Sequence, residues 1–220
     1  MRDDPDALMR DDPDALMRND PDALMRNDPD ALMQTALAGF ADPVLDAQAA
    51  FRAVLEALSR PGRVQHLSAL PEVPPGLSPA AACLLLSLVD ADTKLALAAG
   101  DAAEAWVRFH CGAPLTPVTG ARFVLDASAQ LGDLDAGTEE EPELGATLIL
   151  EVAALSEGPG WRLTGPGIRE VHHLRVEGAP AGFVAAWQES RTRFPRGVDV
   201  ILCAGDRIAA LPRTVAIEEG

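Results

Sequence analysis

From Gln34 to the C-terminus, segments with helical apolar spacing alternate with short apolar runs of strand length. That alternation restricts the chain to a layered α/β architecture, because interleaved helices and strands bury their apolar faces by stacking. ADPVLDAQAAFRAVLEALSRPG opens with Asp42 as a cap and Pro43 in the first turn. Val44, Phe51, Leu55 and Leu58 then fall on one face, and Pro61-Gly62 ends the helix. A short strand is expected at 64–67. Ser78-Pro79 caps an apolar helix that runs to Val89. KLALA, from Lys94, reads as a buried strand. DAAEAWVRFH reads as a helix with Asp101 as its cap and Trp106 and Phe109 inward.

The second half continues the pattern. ARFVLD is a strand from Ala121, DAGTEEEPELG a solvated acidic loop, and ATLILEV and WRLTG further strands. A helix fits 181–193, with Phe183 and Trp187 inward. VDVILCA and RIAALPR are joined by Gly205-Asp206, a two-residue connection that suits a hairpin. The expectation is a single layered α/β domain at 34–220, with a mixed sheet flanked by helices.

Residues 1–32 are a different kind of sequence: MRDDPDAL twice, then MRNDPDAL twice. Each unit has only Ala, Leu and Met as apolar content, and a proline every eight residues blocks a continuous helix. Composition makes 1–33 a disordered tail; a repeated partner-binding motif is the competing reading. The whole chain carries a formal charge of −16. That opposes non-specific binding to nucleic acid and to an anionic membrane surface. The longest apolar run, AAACLLLSLV, falls well short of the ~20 residues of a membrane span. Cys83, Cys111 and Cys203 form neither a disulfide framework nor a metal-ligand spacing, which fits a reduced, cytoplasmic setting. Only Cys111, beside His110, is a candidate reactive thiol.

Few residues suggest chemistry. LTGPGI, 163–168, lacks the length and Lys-Ser/Thr ending of a phosphate-binding P-loop. It leads into IREVHHLRV, which alternates like a strand, so Gly165 and Gly167 read as the flexible points of a turn. Their backbone N–H groups contacting an anion at a subunit seam is the competing reading. Arg108 and His110 end one helix, and His172-His173 point to opposite sides of a strand. Asp90 and Asp92 read as turn residues, and Asp199 as a partner for Arg196 or Arg213. The chain has one lysine, Lys94, at a strand start with no phosphate loop nearby in sequence. A pyridoxal phosphate enzyme would have to rest on it. No residue is assigned as catalytic, cofactor-binding or metal-ligating. The weak ligand-contact candidates are Arg108, His110, Gly165 and Gly167.

DAQAAFRAVLEALSRPG, LLLSLVDADT, RFHCGAPL, GATLILEV, LTGPGI and FPRGVDVILCAGDRIAALPRT occur in this order. As an ordered set they closely resemble the PhnH family of the bacterial carbon–phosphorus lyase system, over 40–214. The resemblance implies a fold similar to pyridoxal phosphate-dependent transferases but without the cofactor. It implies a homodimer that assembles with PhnG, PhnI and PhnJ subunits. It also implies a system that couples a phosphonate to the ribose of ATP with loss of adenine, before a radical step on another subunit breaks the carbon–phosphorus bond. The expected role is a non-catalytic assembly subunit. The alternative is a transferase active alone, with nucleotide or phosphonate bound near Arg108, His110 and the Gly165-Gly167 turn.

Overall fold

The computed structural model describes residues 39–68, 70 and 72–220. The octapeptide repeats lie outside the described residues. Helix α1 (Pro43–Ser59) starts where Asp42 Oδ1 accepts the N–H groups of Val44 and Leu45 at 3.1 and 3.0 Å. These are two of the donors that a helix start leaves without intrahelical partners. Helix α2 (Pro79–Leu88) is capped by Ser78, whose Oγ accepts from Ala81 N at 3.2 Å. Helix α3 (Asp101–Cys111) has Gly100 at its cap position, so Asp101 is the first helical residue and caps nothing. It ends at Gly112, whose φ of 65° is the left-handed conformation that glycine adopts without a Cβ penalty. Helix α4 (Phe183–Arg191) is shorter at both ends than the 181–193 expected.

The strands are β1 (Gln65–His66), β2 (Leu95–Leu97), β3 (Phe123–Leu125), β4 (Thr147–Glu151), β5 (Ala154–Thr164), β6 (His172–Glu177), β7 (Asp199–Ala204), β8 (Arg207–Leu211) and β9 (Ala216–Glu218). Six form a mixed sheet in the order β1-β8-β7-β4-β3-β2. Strands β2, β3, β4 and β7 run parallel, and β8 turns back on β7 through Gly205-Asp206 as the hairpin expected there. The borders of this sheet are two short strands, β1 and β2.

Strand alternation divides the core in two. Ile149, Ile201, Cys203, Ile208 and Ala210 face helices α1, α2 and α3. Leu148, Leu150, Val200, Leu202, Ala209 and Leu211 face α4 and a second sheet, of order β6-β5-β9 and antiparallel. The molecule is therefore α/β with a mixed six-stranded sheet and four helices among the described residues, but helices do not flank both faces equally. A small sheet and α4 cover one of them. WRLTG is only the second half of β5, whose register shifts between Glu157 and Trp161. The LTGPGI turn is followed by bends, and β6 begins only at His172.

One inward assignment reverses, that of Phe109, and the apolar face of α1 turns outward. Helix α1 buries Ala50, Val54 and Ala57, while Val44, Phe51 and Leu55 are 75%, 47% and 50% exposed. Periodicity grouped Val44, Phe51 and Leu55 on one face without saying which face turns inward, while Leu58, grouped with them, is half-buried and packs against the core. The alanine side wins because it lets α1 approach its neighbour closely. In α3, Ala103, Trp106 and Val107 form the buried arc. Phe109 falls about 60° outside that arc at ~100° per residue and is 65% exposed. Phe183 and Trp187 are buried as expected. Trp187 Nε1 donates to Val215 O at 2.9 Å, and Phe183 stacks on Trp161 at 5.2 Å.

Candidate functional site

The end of α1 and the turn after β5 meet. Gly62, with φ of 82°, donates its N–H to Ala210 O at 3.1 Å and so ties the helix end to β8. Gly167, also at φ 82°, closes the turn in which Ile168 N donates to Gly165 O at 3.1 Å. A Cβ on Gly167 would collide with the Ser59 carbonyl and stand 2.8 Å from Pro61 Cδ. A Cβ on Gly62 would stand 2.7 Å from His172 Cδ2. Each glycine is therefore needed by a left-handed backbone and by a close approach at once. His172 Nε2 lies 3.0 Å from Gly62 O, so that nitrogen carries the proton and donates. Gly165 and Gly167 belong to an interlocked turn, which is the reading the sequence favoured.

That interlock opens on one side into a cavity of about 220 Å³ lined by Arg60, Arg63, Arg169 and His172, with Pro61, Ile168 and Val171 between them. Arg60 is held by Glu56 at 2.8 Å. His172 lies 3.7 Å from Glu157 Oε2. Arg63 and Arg169 are exposed, and neither guanidinium has a carboxylate or hydrogen-bond partner among the described residues. None of these arginines was singled out in the sequence. They are separated by over a hundred residues and meet only because β5 and β6 return to the end of α1.

The other ligand-contact candidates lie elsewhere. Arg108 is exposed and pairs with Glu104 at 3.4 Å. His110 packs between Trp106 and Phe109, with ring centroids 4.8 and 4.9 Å away. A Cβ on Gly39 would stand 3.3 Å from the His110 ring, which places His110 near the start of α1. The Gly165-Gly167 turn sits at the other end of α1, and seventeen residues span about 25 Å of helix. Arg108 and His110 therefore do not share a site with Gly165 and Gly167.

Cys111 is not a reactive thiol. Burial first, and the Asp90 carboxylate second, push it up to about 11, so it stays protonated at neutral pH. Its Sγ lies 3.7 Å from Leu85 O. Burial also raises Cys83 to about 11, and Cys203 well above the ordinary thiol value. Asp90 Oδ1 accepts from Thr93 Oγ1 at 2.6 Å and Asp92 N at 3.1 Å, the turn role expected of it. The Thr93 hydroxyl is the main cause that holds its carboxyl below the usual range. Asp199 pairs with Arg213 at 2.6 Å. Lys94 is exposed at the start of β2, and its carbonyl accepts from Arg122 N at 2.8 Å.

The geometry defines a class: a three-layered α/β domain with one small basic cleft and an outer helix that shows its large apolar side chains to solvent. The family model described as bacterial phosphonate metabolism protein (PhnH) matches residues 38–218. A Rhizobium meliloti protein named alpha-D-ribose 1-methylphosphonate 5-triphosphate synthase subunit PhnH is 35% identical over 187 residues, covering 81% of this chain and 94% of the relative. A Stutzerimonas stutzeri protein named putative C-P lyase subunit protein HtxG is 38% identical over 182 residues, covering 77% and 85%. The chain belongs to the PhnH family of phosphonate metabolism, as the ordered fragments implied.

Proposed function

We propose that the chain is an assembly subunit of a carbon–phosphorus lyase core complex. It is required for the ATP-dependent coupling of an alkylphosphonate to ribose with release of adenine, and it acts by docking instead of by turnover of its own. The observation that carries this reading is the outward stripe of α1, where Val44, Phe51 and Leu55 stand in solvent while Ala50, Val54 and Ala57 are buried beneath them. An apolar stripe at helical spacing is the surface that a partner subunit covers. Both relatives are named as subunits, which favours a sister subunit over any other occupant. PhnG, PhnI and PhnJ are the partners the family implies. A homodimer in isolation, a cytoplasmic setting, and kinship to the pyridoxal phosphate-dependent transferase fold without its cofactor belong to the same proposal.

Co-expression with PhnG, PhnI and PhnJ, followed by size-exclusion chromatography, tests it. The wild-type chain is expected to co-elute, and adenine release from ATP and methylphosphonate to require it. The Phe51→Ser, Leu55→Ser double variant is expected to elute apart with an unchanged melting temperature. Its co-elution would overturn the docking surface, and loss of the isolated chain's dimer in this variant by light scattering would show that a second copy occupies the stripe instead. Adenine release by the purified chain alone would replace this reading with that of an independent transferase.

A further inference from the structure

We infer that the cleft between the Pro61-Gly62 and Gly165-Gly167 turns binds a small tetrahedral oxyanion of phosphorus through the guanidinium groups of Arg63 and Arg169. The inference concerns a ligand and does not rest on the assembly reading.

Charge is the first argument. In a chain with 34 acidic residues and a net charge of −16, many arginines find carboxylates. Arg60, Arg108, Arg162 and Arg175 all do so, on Glu56, Glu104, Glu218 and Glu177. Arg52, which does not among the described residues, stands alone on α1 and lines no cavity with another arginine. Arg63 and Arg169 line one cavity with Arg60, and neither is neutralised among the described residues. Glu56 offsets Arg60, and Glu157 faces His172. With histidine neutral, the three guanidiniums outnumber the Glu56 and Glu157 carboxylates by one, and the Arg63 and Arg169 guanidiniums have no protein partner among the described residues. A phosphate or phosphonate group carries about −1.5 to −2 at pH 7, and the guanidinium fork matches the oxygens of such a group. The carbonyl end of α1 opposes an anion here, which makes the unpaired arginines, and not the helix, the binding element.

Size and lining narrow the ligand. The cavity of about 220 Å³ lies below the ~300–1,000 Å³ of pockets that enclose drug-sized molecules. No Phe or Trp side chain lines it, and the His172 imidazole is tied to Gly62 O. Pro61, Ile168 and Val171 offer aliphatic contact to a short alkyl substituent. A phosphonate, or the terminal group of a phosphate ester, fits these limits. The glycine interlock holds the two turns together, so the arginine backbones are placed before any ligand arrives.

Calorimetry on the full chain at low salt tests the inference with methylphosphonate, inorganic phosphate and tripolyphosphate as ligands and sulfate as control. Saturable binding of a phosphorus oxyanion is expected, weakened at least about tenfold by Arg63→Gln or by Arg169→Gln. Melting temperatures should hold in both, because both side chains are exposed. Arg108→Gln should leave affinity unchanged. Preference for methylphosphonate marks a phosphonate site, and preference for tripolyphosphate a phosphate-ester site; either supports the inference. It is overturned if none of the three saturates, if sulfate binds equally, or if the Arg63→Gln, Arg169→Gln double variant binds as the wild type does. The same double variant should still co-elute with the partner subunits, which separates this result from the docking test.

Discussion

Helices α1 and α2 pack against each other on one face of the large sheet, and they sort their residues in opposite ways. In α2, six consecutive residues from Ala80 to Leu85 are fully buried, and no side of that stretch meets water. In α1, Ala50, Val54 and Ala57 are inside, while Val44, Phe51 and Leu55 are outside. A helix buried all round is apolar all round, and α2 owes its position entirely to that. Helix α1 buries only a narrow strip and keeps a second apolar strip unspent. Buried and exposed apolar surface are thus divided between neighbouring helices: one fills the core, the other closes the core and faces outward.

The contrast can be broken by measuring what each helix contributes. Leu84→Ala in α2 should have the largest effect, a loss of about 2–5 kcal/mol in denaturant melts, because Leu84 is fully buried. Gly167→Ala should cost about 2–4 kcal/mol, from left-handed strain and the collision with Ser59 at the end of α1. A melting curve matching the wild type would show that the two turns are not interlocked. Ser78→Ala removes the cap of α2 and should cost about 1 kcal/mol, read by the same melts. Phe51→Ser on α1 should change stability by no more than about 0.5 kcal/mol while abolishing co-elution with partner subunits. If Phe51→Ser destabilised the fold as much as Leu84→Ala, the division between the helices would fail.

Local signals were legible in the sequence where chemistry is local. Asp42-Pro43 and Ser78-Pro79 announced both helix starts, and Gly205-Asp206 announced the hairpin. The small sheet was harder to see. Its long strand β5 contains Gly158-Pro159-Gly160 and a register shift, so its first half reads as a turn and not as a strand. The facing of α1 was not legible either. Two apolar strips share that helix, and spacing alone cannot rank alanine against phenylalanine. At the cleft, Gly167 was visible because glycine pairs around a proline stand out. Arg63 and Arg169 were not, because an arginine without a partner looks like any other until the fold shows which carboxylates it misses.

The borders of the large sheet carry one more consequence. With two residues in β1 and three in β2, a stray extended chain finds too few backbone groups to copy itself onto. The longer border strand of the small sheet, β6, points His173, Arg175 and Glu177 into water, a polar row with two charges that discourages the same event. Growth by backbone zippering is closed along these edges. What the molecule joins, it must join through side chains, and the choice of neighbour can then be written in a few exchangeable residues.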